Sequence, residues 1–340
     1  IVVVDNVACG PAIGGVRMAP DVSLEECFRL ARAMTFKNAS AGLPHGGAKS
    51  VIVGNPAMDV EAKEQLMRAY AQAIRPLTDY IPGPDMGMNE AAMAWIKDEG
   101  GQCAGLPKEV GGIPLDEIGA TGFGVVASTD VAKGLLGLSL EGARVAMQGF
   151  GAVGKHAARF FNKRGAILVA AADTSGTVHD PQGIDVAALI AHKESGAKIS
   201  TFEGGEHLKV DAVIGVDCDI LVPAARPDVV RVDNQDTVQA KLIVPGANIG
   251  ITEEAERLLY ERGVLCVPDF IANAGGVICA AVEYAGGTEA QVFDVIDEKV
   301  RNNTAETLER MRRKKILPRE AAVAMARERV CAAMRYERFN

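Results

Sequence analysis

The run from Ala143 to Gly165, ARVAMQGFGAVGKHAARFFNKRG, decides how the chain reads. A short apolar strand, ARVAMQ, passes straight into GFGAVG, and a helix follows at once. Gly149, Gly151 and Gly154 therefore form a GxGxxG turn in the strand-to-helix setting that gives the motif its meaning. The first glycine permits the tight turn, the second lets backbone approach a pyrophosphate, and the third lets helix and strand pack closely. Phosphates would sit on the N–H groups at the helix start, so Phe150, Ala152 and Val153 join the glycines as expected contacts. A second strand, AILVAAAD, ends in Asp173, where an acid roughly 20 residues past the turn would bond the adenosine ribose. That acid favours NAD over NADP, since a 2′-phosphate would meet a carboxylate; Thr174 and Ser175 would accommodate the phosphate if the acid pointed away.

Around this unit the pattern is alternating α/β. ATGFGVVASTDVAKGLL reads as a helix before it, and strands are legible after it at DAVIGV, DILVPAA, AKLIVPGAN and VLCVPDF, with a helix at Thr252 to Arg262. ANAGGVICAAVEYAGG reads as a glycine-opened apolar helix, and two long amphipathic helices follow, about Glu289 to Lys315 and Arg319 to Arg338.

Upstream lies MTFKNASAGLPHGGAKS, Met34 to Ser50, with Lys37 and Lys49 flanking bare backbone at Gly46 and Gly47. A lysine in a dry pocket loses hydration of its ammonium form and can act as a base near neutral pH, while the other holds an anion. Taken alone, the stretch reads more readily as a solvated loop. Ser23 with Glu26 forms a capping box for the helix that delivers Lys37, Gly42 stops that helix, and a loop to Lys49 runs into the strand SVIVG. Asp59 caps a second helix with Ala62, Leu66, Ala69, Tyr70 and Ala73 on its inner face. YIPGPDMGMNE places Asp85 in a proline–glycine turn at a strand end, aimed as a proton-transfer group must be, and Asn89 caps the next helix. The pattern weakens between Gly100 and Gly119, where a domain boundary is expected.

The fold expected is α/β in two domains. Residues 1–118 form an α/β substrate and oligomerisation domain, completed by helices in 300–340, and 119–299 form a doubly wound, Rossmann-type dinucleotide-binding domain. With 340 residues, 48% hydrophobic and 24% charged, the chain can bury two full cores. The net charge of -8 and the lack of a basic run argue against nucleic acid. No apolar run reaches the length of a membrane span, and no export signal is legible. The seven cysteines stand singly and the five histidines show no metal-ligand spacing, as in a cytoplasmic protein with reduced thiols and no metal. The opening IVVVD lacks a methionine, so upstream residues are expected.

Taken together, GPAIGGVRM, MTFKNASAGLPHGGAKS, GPDMG, ATGFGV, GFGAVG, PGAN and NAGGV resemble, in order and over almost the whole chain, the amino-acid dehydrogenases that act on glutamate, leucine, phenylalanine and valine. The resemblance implies an NAD-dependent, reversible oxidative deamination of an L-amino acid to a 2-oxo acid and ammonia, in a cytoplasmic homo-oligomer. It implies that Lys37, with backbone near Gly46 and Gly47, binds the substrate carboxylate, that Lys49 is the base activating water, and that Asp85 exchanges protons with the amine. Asn248 and Asn273 would hold nicotinamide or substrate, and Thr121 the nicotinamide amide. A cleft between the domains is expected to open and close.

Members acting on glutamate grip its side-chain carboxylate with a lysine where this chain has Ile13 and a serine where it has Ala280. Burying a carboxylate against Ile13 and Ala280 would leave a charge unpaired, at several kcal/mol. A hydrophobic substrate of the leucine, valine or phenylalanine class is expected, with Gly83 and Ala280 giving room and Val277 restricting it. The alternatives are a glutamate dehydrogenase of the same family, another nicotinamide dehydrogenase without this lysine and acid set, and a non-catalytic NAD-binding relative.

Overall fold

A computed structural model describes residues 1–336. Its contacts divide the chain into two compact units: Ile1–Leu115 with Val277–Asp294 and the chain from Val323 on, and Asp116–Gly276 with Val295–Ala322. The first unit thus takes in 277–294, and the chain rejoins it at Val323 rather than at 300.

The first unit opens with β1 (Val2–Asn6), β2 (Ala12–Ala19), α1 (Leu24–Ser40), β3 (Gly47–Val53), α2 (Val60–Ile74), β4 (Tyr80–Pro84) and α3 (Glu90–Asp98). Its sheet has the order β1-β3-β2-β4, with β1 antiparallel to β3 and the other pairs parallel. The caps fall as the side chains dictate: the Ser23 hydroxyl accepts from the Glu26 N–H, Asp59 from those of Glu61 and Ala62, and Asn89 from that of Ala92. Gly42 ends α1 at φ +64°.

Two readings of this unit are corrected. Lys49 lies inside β3 rather than at a loop end, because Gly47 pairs with Ile13 of β2 and Lys49 with Val3 of β1. The inner face of α2 is Met67, Ala71 and Ile74, with Tyr70 beside them, and Ala62, Ala69 and Ala73 are exposed. The longer side chains set which way the helix turns, since a methyl group loses little by facing water. Met67 and Ala71 pack with Val16, Ala92, Met93 and Ile96 under one face of the sheet.

The second unit begins with α4 (Leu115–Ile118), α5 (Ala120–Ala132), β5 (Arg144–Gln148), α6 (Ala152–Asn162), β6 (Ile167–Asp173), β7 (Gly176–His179), α7 (Val186–Glu194) and β8 (Glu206–Leu208). There follow β9 (Ile220–Pro223), β10 (Leu242–Ile243), α8 (Glu253–Glu261), β11 (Leu265–Cys266), α9 (Asp269–Ala272), α10 (Gly275–Tyr284), α11 (Glu289–Lys314) and α12 (Pro318–Met334). The end of α12 expected at Arg338 lies outside the described residues. The sheet order is β11-β10-β9-β5-β6-β7-β8, so the strand order reverses beside β5, the strand that carries the glycine turn. DAVIGV is a 3₁₀ turn, Val210–Gly215, and not a strand: Val213 and Ile214 are buried from a turn that bonds Ala212 N–H to Lys209 C=O. The antiparallel β7 and β8 were not read from the sequence.

Candidate active site

In the first unit the candidate residues are brought to one face of the sheet by register. Ile13 of β2 pairs with Gly47 and Ile81, Gly15 with Gly83, and Arg17 with Val51. Side chains alternate along a strand, so Ile13, Gly15 and Arg17 share their face with Lys49, two residues beyond Gly47. Asp85 follows directly on β4, in a turn closed by Met88 N–H to Asp85 C=O at 2.8 Å.

There the Lys49 ammonium donates to Asp85 Oδ2, and the Arg17 Nε–H donates to the same oxygen at 3.3 Å. The far end of the guanidinium donates to Glu26 Oε1 at 2.6 Å. Lys49 is only 6% exposed. Burial pushes its pKa down, the Asp85 carboxylate opposes that, and Arg17 adds to the lowering, leaving the amine below its usual range. Burial pushes Asp85 up, but the Lys49 ammonium, its hydrogen bond, the Met86 N–H and Arg17 outweigh it and hold the acid below the carboxylate range.

Arg17 was not among the residues singled out. The signal was present in GPAIGGVRM: alternation places it on the face of Ile13 and Gly15. Arg17 is thus a cation held against the Lys49–Asp85 pair. Lys37 is half-buried in the last turn of α1. The backbone near it is tightly set, for a Cβ on Gly46 would stand 1.8 Å from Asn6 C=O and one on Gly47 2.0 Å from Thr35 N. The buried Asn38 amide donates to Gly46 C=O at 2.6 Å and, more loosely, to Ile13 C=O.

The residues expected around the substrate side chain also lie in this unit. Ile13 is buried, and a Cβ on Gly83 would meet only Ala104 C=O, at 3.7 Å. Val277 and Ala280 stand one helical turn apart on α10 and are half-buried. From the same helix Glu283, missed in the sequence, accepts N–H groups of Gly105, Leu106 and Ile113 at 2.7, 3.0 and 2.8 Å, fixing the loop that carries Ala104.

In the second unit a cavity of about 740 Å³ lies at the ends of β5, β6 and β9, lined by Gln148, Gly149, Phe150, Gly151, Ala152, Val153 and Asp173, among others. The glycines act as the motif requires. Gly149 has φ +101°, and a Cβ there would strike Ala225. A Cβ on Gly154 would stand 1.9 Å from Gly149 C=O, whereas one on Gly151 would meet nothing within 4 Å. Gly151 therefore faces room, and Gln148 Oε1 is buried at the cavity wall without a partner. Both observations fit a bound dinucleotide.

The Asp173 carboxylate, expected at the ribose, is bonded within the protein on both oxygens. Its Oδ1 accepts from the Ser175 N–H and hydroxyl, and its Oδ2 from the Lys193 ammonium at 2.6 Å and the Ile199 N–H. Burial raises the acid, and those bonds overcome it and hold the pKa down at about 2.

Asn273 Nδ2 donates to Asn248 Oδ1 at 2.9 Å and leaves its own Oδ1 buried without a partner. A Cβ on Gly276 would stand 3.0 Å from Thr121 Oγ1, so three residues assigned to the nicotinamide end gather within this unit. They are braced by Asp269, which accepts the Ile249 N–H and bonds Arg319.

Residues 111–338 match the Glutamate/Leucine/Phenylalanine/Valine dehydrogenase family, and residues 1–101 match the Glu/Leu/Phe/Val dehydrogenase dimerisation domain. The chain belongs to this family. It is 40% identical to the NADP(+)-dependent glutamate dehydrogenase of Pyrobaculum calidifontis and 37% identical to the glutamate dehydrogenase of Aeropyrum pernix, in each case over 97% of this chain and 84% of the relative. Among solved structures it resembles a hetero-hexameric glutamate dehydrogenase from Thermus thermophilus in a leucine-bound form, with TM-score 0.87 and 33% identity over 98% of this chain and 84% of that one. L-tryptophan dehydrogenase from Nostoc punctiforme, at 24% identity and TM-score 0.77 over 98% of this chain and 91% of that one, shares the fold.

An amino-acid dehydrogenase is an oxidoreductase acting on CH–NH2 with a nicotinamide cofactor. The glycine turn and the cavity beside it are where this chain's residues fit one. Among the described residues no group of three or more His, Cys, Asp or Glu could hold a metal ion, and no helix is long and apolar enough to cross a membrane. Among the described residues no disulfide joins any of the seven cysteines.

Proposed function

We propose that the chain catalyses the reversible oxidative deamination of an L-amino acid with an apolar side chain, with Lys49 and Asp85 handling the protons and Lys37 holding the α-carboxylate. The observation that carries this reading is the buried ion pair of Lys49 and Asp85, flanked by Arg17. A nicotinamide dinucleotide, when bound, accepts the hydride from the α-carbon. Hydride leaves only from a neutral amine, so a carboxylate must first take the ammonium proton, and Asp85 is ionised for that task.

While Asp85 is an anion it keeps the Lys49 proton in place. Once Asp85 is protonated that hold is gone, and burial with Arg17 nearby favours the neutral amine. Lys49 gives its proton to solvent, the one proton the overall reaction releases, and then takes one from the water that attacks the iminium carbon. Asp85 returns its proton to the carbinolamine nitrogen, and on collapse the hydroxyl proton passes to the departing ammonia, leaving ammonium, the 2-oxo acid and both side chains in their starting forms.

The apolar side chain rests on Ile13, buried on the face of Lys49 at the position where glutamate-acting members carry a lysine. The second reading, glutamate as substrate, is the one the comparisons support better, through the relatives named glutamate dehydrogenase at 37–40% identity. Asp173 supports NAD, but the Lys193 ammonium beside it reduces its repulsion of a 2′-phosphate, so discrimination against NADP is modest. The dimerisation-domain match and the hetero-hexameric relative support an oligomer.

The test is ammonia-dependent oxidation of NADH and of NADPH with 2-oxoisocaproate, phenylpyruvate and 2-oxoglutarate. Preference for either of the first two is the expected result. Dominance of 2-oxoglutarate replaces the apolar reading with the glutamate one, and no turnover with any of the three rejects the deaminase.

A further inference from the structure

We propose that Arg17 is the positioning residue of the Lys49–Asp85 pair, aiming the Asp85 carboxylate through its Nε–H, and that Glu26 governs how much of the Arg17 charge reaches the pair. The inference rests on the reading of Lys49 and Asp85 as the proton-handling groups.

The geometry is that of a guanidinium held at both ends. Nε–H meets Asp85 Oδ2 at 3.3 Å, while the terminal nitrogen meets Glu26 Oε1 at 2.6 Å. A planar fork bonded at two points cannot swing, so it fixes the carboxylate it touches. Arg17 and Glu26 reach the site from different elements, β2 and the first turn of α1, and the side chains are 19% and 35% exposed. Glu26 has been freed for this role. Its backbone N–H completes the cap with Ser23, but its carboxylate turns to Arg17 instead of back to the cap.

The groups facing the pair can be named from each packed element. Arg17 comes from β2, Glu26 and Cys27 from the start of α1, and the Met86 N–H from the turn after β4. The Cys27 thiol donates to Lys49 C=O at 3.3 Å, and burial raises its pKa, so it carries no charge at neutral pH. Lys37 stands in the last turn of α1, and Asp5 of β1 is bonded by Arg32 and Thr35. Arg17 thus joins Lys49 as a cation in contact with Asp85, and Glu26 is an anion in contact with Arg17.

The active resting form is ionised Asp85 with protonated Lys49, so kcat/KM is bounded at low pH by the acid and at high pH by the amine. Removing a neighbouring cation raises both pKa values, and removing the anion that tempers it lowers both. Arg17→Gln should therefore move both limbs of the pH profile upward, Glu26→Gln should move both downward, and Arg17→Lys should restore the limb positions with a lower kcat. A merely structural arginine would lower activity without moving the limbs in opposite senses in the two variants. Profiles are measured by oxidation of the best amino acid on the wild type and each variant, with the fold checked by circular dichroism. Limbs unmoved in Arg17→Gln, or moved the same way by Glu26→Gln, overturn the proposal. If Arg17→Gln does not fold, the downward shift in Glu26→Gln decides alone. Full turnover in Lys49→Ala removes the reading beneath it; an inactive Lys49→Ala with unmoved limbs removes only the proposal.

Discussion

Gly15 leaves Asp85 the space in which to meet Lys49. A Cβ on Gly15 would stand 2.7 Å from Asp85 Cβ and 3.2 Å from Lys49 Nζ. Gly15→Ala should therefore push the acid away from the amine, costing about 1–3 kcal/mol in stability from overpacking and roughly 100-fold in kcat from misplacement. Urea unfolding and steady-state kinetics on one preparation check both, and an active, equally stable variant would show the site to be more yielding than its geometry.

The two lysines should fail in different ways. Lys49→Ala removes the proton-handling amine and should cut kcat by about 10²–10⁴-fold with the fold intact. Lys37→Ala should chiefly raise KM for the amino acid, since it takes away ground-state binding of a carboxylate. Separate kcat and KM values for each variant make the comparison.

Glu283, buried beneath the loop it holds, should matter to the fold. It satisfies three backbone N–H groups on one loop with two oxygens. Glu283→Ala strands those donors and should cost roughly 3 kcal/mol, with Glu283→Gln intermediate because it keeps one acceptor. Urea midpoints give the order, and a silent Glu283→Ala would mean that water replaces the carboxylate freely.

Asp173 carries a pH signature. Its folded pKa, about 2, lies below the ordinary 3.8, so its contribution to stability is fully present above 3.8 and is lost as pH falls toward 2. Asp173→Asn should flatten the fall in unfolding free energy between about pH 4 and pH 2. Lys193→Ala should sharpen discrimination against NADPH relative to NADH, because the bare carboxylate would then face the 2′-phosphate; equilibrium fluorescence titration with both coenzymes tests it.

What the sequence made legible was local. The caps at Ser23, Asp59 and Asn89, the stop at Gly42 and the glycine turn at Gly149–Gly154 are each written within a few residues, and each forms as expected. What stayed hidden depends on partners far along the chain. Lys49 belongs to a strand only because residues 2–6 and 12–19 pair with it. DAVIGV has a strand's composition but is a buried 3₁₀ turn. Arg17, Lys193 and Glu283 take their importance from contacts that no spacing announces, 68, 20 and at least 170 residues away.

The pairing of Val3 with Lys49 has a practical bearing on anyone handling this protein. The ladder that holds Lys49 is completed on one side by β1, and just beyond it Ile1 and Val51 exchange backbone hydrogen bonds. A substitution in Val2–Asn6 that loosens this pairing would therefore reach Lys49 through backbone alone, and kinetic constants should be compared only between preparations with the same residues in β1.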